Sequence, residues 1–183
     1  TKKNIQTKNK NLINTIVSVG RIENQKNYEL IIRSIKGTNY ELDIYGEGSL
    51  KNELKKLSQE LNVTVNFLGI VNNETLVEKL QNYKFYISSS VYEGNPKSVL
   101  EAMSAGCIVI ASKIKNHLEF LNNNNSILFD NNITSLNEAI MHLDKISQSR
   151  KDDLVNNSLE TINNKYNLND LVKKEIKDIN NLV

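Results

Sequence analysis

The sequence predicts an α/β fold, a doubly wound parallel sheet of about six strands with extra helices at the C-terminal end. Two observations carry that expectation. Short β-branched runs ending in Gly or Ser alternate with amphipathic stretches whose apolar residues recur at i, i+3 and i+4. The 183 residues, 39% hydrophobic and 24% charged, have an ordinary globular composition and suffice for one sizeable core, at about 150 residues per domain.

Residues 1–13 are expected to be a solvated tail or an interdomain linker remnant, because TKKNIQTKNKN offers neither periodicity nor apolar surface to bury. The domain, residues 14–183, opens on a strand at 14–20 (NTIVSVG) followed by a helix at 27–37 (NYELIIRSIKG). A second strand at 40–46 (YELDIYG) precedes a helix at 49–61 (SLKNELKKLSQEL). The third strand, 63–69 (VTVNFLG), leads into a helix at 74–82 (ETLVEKLQN). The fourth, 84–90 (KFYISSS), leads into a helix at 96–106 (PKSVLEAMSAG). Strands at 107–112 (CIVIAS) and 126–130 (SILFD) complete the alternation. From Thr134 onward no strand signal recurs, and two or three helices are expected, Leu168 to Val183 being the most amphipathic.

Units of this length require parallel strands, right-handed crossovers and helices on both faces of the sheet. The expected fold is therefore Rossmann-like. Its usual strand order is 3-2-1-4-5-6, and ligands bind beyond the carboxyl ends of the strands where the order reverses, between strands 1 and 4.

Composition removes several classes of function. No apolar run reaches the roughly 18 residues of a membrane span. The net charge is +2, and Lys2, Lys3, Lys8 and Lys10 more than account for it, so the body is slightly acidic and nucleic acid is not an expected partner. A single cysteine, Cys107, and the lack of an N-terminal apolar h-region point to a cytoplasmic protein. Cys107 itself is expected to be buried and inert. Asn122 to Asn125 read as loop filler. His117 and His142 lack partners at metal-ligand spacing, although His117 falls where it could edge the crevice. No Asp-x-Asp pair occurs to carry a divalent ion. Neither metal nor cofactor is expected.

Chemistry concentrates at two strand ends. The first strand closes at Gly20, followed by Arg21 and Lys26, just before a helix that Asn27 could cap. After Ser88, Ser89 and Ser90, the opposite loop carries Glu93 and Gly94. Asn95 suits an N-cap and Pro96 the first helical position, leaving the backbone N–H groups of Lys97 and Ser98 at the positive end of the helix, where phosphate binds well. Gly94 leaves room for a bulky ligand or a close backbone approach. Glu101 lies about 7.5 Å along the axis from Pro96 and leans back toward that end, within reach of a ribose. Its apolar neighbours Val99, Leu100, Ala102 and Met103 leave it little solvent, so its carboxylate needs partners. Gly46-Glu47-Gly48 reads as a turn, and Gly69, closing the third strand, could let a base approach. Two cations and a helix start face two carboxylates, a set that suits a diphosphate carrying hydroxyls.

Residues 20–26 (GRIENQK) together with 93–106 (EGNPKSVLEAMSAG) resemble the nucleotide-binding half of retaining glycosyltransferases of the GT-B fold, family 4, with the match running from about Ile16 to Phe129. The specificity lies in the Gly-Arg followed by Lys and in the Glu-x7-Glu spacing of Glu93 and Glu101. The resemblance implies a sugar nucleotide as donor, with Arg21 and Lys26 on its diphosphate; the base is not disclosed, and UDP is expected ahead of GDP. It puts Glu101 on the ribose hydroxyls, Glu93 on the donor sugar, and the amides near Lys97 and Ser98 around the phosphate. Gly69 and Ile70 then correspond to where the base is received. Departures are Asn95-Pro96 for the usual Phe-Gly, Lys115-Asn116 for a glycine pair, and Ser126 for a glycine. Complete members carry an N-terminal domain for a glycan or lipid-linked acceptor, so this chain is expected to be a C-terminal fragment, inactive alone. Assembly of surface polysaccharide, with peripheral association at the inner membrane face, fits the same family. Three other readings stay open: a non-catalytic module that binds nucleotide sugars, an oligomerising α/β interaction domain whose crevice is vestigial, and a sugar-nucleotide epimerase of similar fold.

Overall fold

The computed structural model describes residues 12–165. Its strands are β1 (Leu12–Val19), β2 (Glu41–Tyr45), β3 (Val65–Gly69), β4 (Tyr83–Ser88), β5 (Ile108–Ser112) and β6 (Ile127–Phe129). They form one sheet in the order β3-β2-β1-β4-β5-β6, every neighbouring pair parallel. The reversal expected between the first and fourth strands is therefore present. The helices are α1 (Tyr28–Ser34), α2 (Lys51–Leu61), α3 (Asn73–Leu80), α4 (Lys97–Ser104), α5 (Lys115–Leu118), α6 (Ile133–His142) and α7 (Gln148–Lys165).

Alternation along each strand divides the core in two. Ile16, Leu42, Ile44, Phe85, Ile87 and Ile110 face one layer, where α1 supplies Ile31 and Ile32 and α6 supplies Leu136 and Ile140. Val17, Tyr86, Val109 and Ala111 face the other, beneath Leu76 and Leu80 of α3 and Val99, Ala102 and Met103 of α4. Each fully buried aliphatic side chain contributes on the order of 2 kcal/mol. Strands buried on both faces give the loops at their carboxyl ends a rigid base.

Some local expectations change. β1 begins at Leu12, two residues before the boundary drawn at Asn14; Leu12 pairs with Tyr83 of β4, and its N–H donates to the Asn82 carbonyl at 3.3 Å. A one-turn 3-10 helix at Asn24–Lys26 and the four-residue α5 are too short to leave a periodic signal. Lys115 and Asn116, standing where the family's glycine pair was expected, open α5.

The asparagine run is more than filler. Asn125 is buried, and its Nδ2 donates to the Phe120 carbonyl at 2.9 Å and to Thr161 Oγ1 of α7 at 3.0 Å. Asn157 of α7 donates to the Asn124 carbonyl at 2.9 Å, so the run anchors that helix. Cys107 is buried, its Sγ 3.3 Å from the Leu80 carbonyl. The stretch from Leu168 to Val183 lies outside the described residues. Among those described, no helix is long and apolar enough to cross a membrane.

Candidate functional site

Beyond the carboxyl ends of β1 and β4 two loops face each other across a cavity of about 400 Å³. Gly20, Arg21 and Lys26 line it from the β1 side. Glu93, Gly94, Asn95, Lys97, Ser98 and Glu101 line it from the β4 side. Arg21 and Glu101 thus share one cavity. Gln25 bonds the loops directly: its carbonyl accepts from the Val91 N–H at 3.0 Å, and its Nε2 donates to the Tyr92 carbonyl at 3.0 Å.

Close backbone packing explains two glycines here. A Cβ on Gly20 would stand 2.6 Å from Lys26 Cε, so the missing side chain leaves the track along which that lysine reaches the cavity. A Cβ on Gly46 would overlap the Gly20 carbonyl. Gly46, expected in a turn, instead bridges to Gly69 and forms the seam that seats the β1 loop. Gly94 differs, because a Cβ there would meet open space, and its open side faces the cavity.

Lys26 Nζ lies 2.5 Å from Glu93 Oε1, and Ser90 Oγ donates to the same oxygen at 2.6 Å. The Glu93 side chain is only 5% exposed, so it is no solvated surface charge. Ser89 Oγ sits 2.8 Å from the carbonyls of both Lys26 and Asn27, so the serine run after β4 pins the opposite loop as well. Asn27 occupies the N-cap of α1, but its side chain makes no capping bond. Its backbone is left-handed, with φ of 50°, and its side-chain amide donates instead to Asn131 Oδ1 at 3.2 Å.

The start of α4 also moves by one residue. Proline fixes φ but not ψ; Pro96 has ψ of 49°, outside the helical range, so it occupies the N-cap and Lys97 is the first helical residue. Asn95 makes no capping bond. The Pro96 carbonyl accepts from the N–H groups of Val99 and Leu100 at 3.0 and 3.3 Å. The N–H groups of Lys97 and Ser98 find no acceptor among the described residues. Ser98 Oγ accepts from Tyr86 Oη at 2.9 Å, a hydroxyl that burial pushes well above its ordinary value and so keeps protonated.

Glu101 meets its expected need for partners only in part. Its side chain is 13% exposed, and Oε1 is buried without a hydrogen bond. Lys97 Nζ stands 3.4 Å from that oxygen but outside hydrogen-bond geometry, while donating to Asn73 Oδ1 at 3.2 Å. Arg21 is exposed and forms no ion pair among the described residues.

Three expected residues do not line the cavity: Gly69, Ile70 and Pro96. The Gly69 carbonyl accepts from the Gly46 N–H at 2.8 Å, and Ile70 is 78% exposed. His117 does not edge the crevice either; it is buried, with Nδ1 2.8 Å from the Ser112 carbonyl. A carbonyl only accepts, so Nδ1 carries the proton. Burial holds this imidazole below its ordinary value, so the ring is neutral. Sequence reasoning missed Asn73, which α3 brings to the cavity, and the bond from Ser90 to Glu93. No group of three or more His, Cys, Asp and Glu placed to hold a metal ion occurs among the described residues.

Free amides at a helix N-terminus and two cations favour an anion, while a carboxylate oxygen without a donor favours a hydroxyl. The six-stranded parallel sheet with flanking helices matches GT-B glycosyltransferase structures, and the cavity lies where the strand order reverses. The chain belongs to the glycosyl transferases group 1 family, whose family model matches residues 1–160.

The chain is 36% identical over 104 residues to the N-acetylgalactosamine-N,N'-diacetylbacillosaminyl-diphospho-undecaprenol 4-alpha-N-acetylgalactosaminyltransferase of Campylobacter jejuni, covering 55% of this chain and 28% of that enzyme. Among solved structures it is similar to Staphylococcus aureus TarM in a complex containing UDP, with a TM-score of 0.80 and 27% identity, covering 90% of this chain and 35% of that one. It is also similar to the catalytic domain of cholesterol-alpha-glucosyltransferase from Helicobacter pylori, with a TM-score of 0.72 and 25% identity, covering 82% of this chain and 97% of that one. The chain spans less than half the length of the curated relatives it matches, 28% and 43% in two of them.

Proposed function

We propose that the chain is the donor-binding, C-terminal domain of a retaining family 4 glycosyltransferase, and that it grips a nucleotide-diphosphate sugar, UDP-linked in preference to GDP-linked. One observation carries this. Arg21, Lys26 and the uncapped amides of Lys97 and Ser98 share a cavity with a Glu101 oxygen that no donor among the described residues satisfies. The first set matches a diphosphate, and the second matches a ribose hydroxyl. Glu93, held in place from the protein side, takes the donor sugar. UDP in the TarM complex and the N-acetylgalactosaminyl transfer in the Campylobacter enzyme's name support a UDP-linked amino sugar.

As the bond from the anomeric carbon to the diphosphate breaks, negative charge grows on the leaving oxygens. Donors already aimed at that charge stabilise it without reorganising. Arg21, Lys26 and the α4 amides fill that role, so this transfer is metal-independent. Glu93 and Glu101 fix sugar and ribose against rotation. A glycan or lipid-linked acceptor binds through another domain of the longer enzyme, and this chain alone holds the donor without transferring it. In the cell the whole enzyme works in polysaccharide assembly on the cytoplasmic side of the membrane, peripherally attached.

A thermal-shift panel of UDP, GDP, ADP and their sugar conjugates tests the reading. A ligand at a hundred times its Kd adds about 2.7 kcal/mol to stability. UDP and at least one UDP-sugar should raise the melting temperature, and Arg21→Ala should weaken UDP far more than uridine in calorimetry. No shift with any diphosphate, or equal losses for UDP and uridine, would refute it.

A further inference from the structure

We propose that Ser90 is a positioning residue for Glu93, setting which carboxylate oxygen the donor sugar meets; this rests on the donor-binding reading. Ser90 is fully buried in the turn after β4, and its hydroxyl donates to Glu93 Oε1 at 2.6 Å. Lys26 Nζ contacts the same oxygen at 2.5 Å. No described residue donates to Oε2, and Glu93 lines the cavity, so Oε2 is the oxygen presented to a ligand.

The two donors are not equivalent. Lys26 ends a flexible stem beside Arg21 and the α4 amides, and a diphosphate in the cavity competes for its charge. Ser90 has no such freedom. Its carbonyl accepts from Ser112 Oγ of β5 at 2.7 Å and from Asn131 Nδ2, in the turn before α6, at 3.2 Å. Ser88 Oγ lies 3.4 Å from its hydroxyl. When the diphosphate draws Lys26 away, Ser90 is the donor left holding Oε1, and the Glu93 side chain keeps its angle to the sugar.

The test titrates the 183-residue chain with UDP, UDP-glucose, UDP-N-acetylglucosamine and UDP-N-acetylgalactosamine in wild type, Ser90→Ala, Ser90→Cys, Glu93→Gln and the Ser90→Ala/Glu93→Gln double variant. A hydrogen bond to a charged group supports roughly a tenfold effect. Ser90→Ala should weaken the preferred UDP-sugar by roughly that factor while leaving UDP within about twofold. Ser90→Cys, of similar shape but a weak donor, should fall between. The double variant should lose no more than Glu93→Gln alone, because the serine acts only through the carboxylate. Equal losses for UDP and UDP-sugar, full additivity in the double variant, or unchanged UDP-sugar affinity would overturn the assignment. Wild-type chain that binds none of the four ligands would overturn the donor-binding reading, and this inference with it.

Discussion

Two lysine–glutamate pairs share the cavity, and they are built in opposite ways. Lys26 and Glu93 are 67 residues apart, meet at 2.5 Å with side chains 16% and 5% exposed, and are joined by the Ser90 hydroxyl. Lys97 and Glu101 lie one turn apart on α4 at 3.4 Å, with Lys97 67% exposed and Glu101 Oε1 buried without a hydrogen bond. The first pair stitches two loops together and is finished by the protein. The second leaves an acceptor whose desolvation costs on the order of 1–3 kcal/mol until something donates to it. The first pair holds the two loops together; on the donor-binding reading, the buried Glu101 oxygen of the second is where a ribose hydroxyl would sit.

Breaking the first pair should give the largest effect. Lys26→Met leaves the Glu93 carboxylate buried without its cation, and losing one partner of a buried pair costs about 3 kcal/mol. Chemical denaturation should show that loss as a lower midpoint with an unchanged slope. Replacing both partners, as Lys26→Met/Glu93→Leu, should recover most of it, since no charge is then stranded. A loss under about 1 kcal/mol in the single variant would put this pair in the class of exposed surface bridges and erase the contrast.

How much of this was legible in the sequence follows the same division. The strand order and the convergence of Arg21, Lys26, Glu93 and Glu101 could be read because hydrophobic period and strand-end position are local signals. The contribution of Ser90 could not, since a serine closing a strand looks like any other until the direction of its hydroxyl is known. Asn73 enters the cavity from α3, a placement that only the packed sheet decides. The helix start slipped from Pro96 to Lys97 because proline constrains φ and leaves ψ to its surroundings. His117 went under the site because a four-residue helix has no periodicity to show which side faces in.

Glu101→Gln sharpens the comparison from the ligand side. The carboxylate gives the protein no hydrogen bond to lose at Oε1, so stability should hold or rise slightly. Affinity should fall roughly tenfold, and for uridine and UDP alike, because the contact proposed for Glu101 is to the ribose that both carry. Arg21→Ala should separate the same two ligands. A Glu101→Gln variant that lost UDP but kept uridine would place Glu101 near the phosphates and reverse the assignment of roles.

Lys97→Met should give the smallest effect on stability, and its sign on binding is informative. An exposed i, i+4 bridge is worth roughly 0.3–0.5 kcal/mol, so denaturation should show a change no larger than that, against several-fold more for Lys26→Met. The ammonium of Lys97 stands over the Glu101 oxygen that a ribose hydroxyl would use, with Asn73 holding it there at 3.2 Å. Removing it clears the oxygen for a neutral nucleoside, so uridine should bind as well or more tightly. UDP adds charge that Lys97, once displaced from Glu101, can follow, so the ratio of UDP to uridine affinity should drop, most clearly at low salt where screening is weak. Calorimetry of both ligands at two ionic strengths reads all of this in one series. A stability loss above about 1 kcal/mol, or weaker uridine binding, would mean that Lys97 supports Glu101 as Lys26 supports Glu93, and that both pairs are finished by the protein.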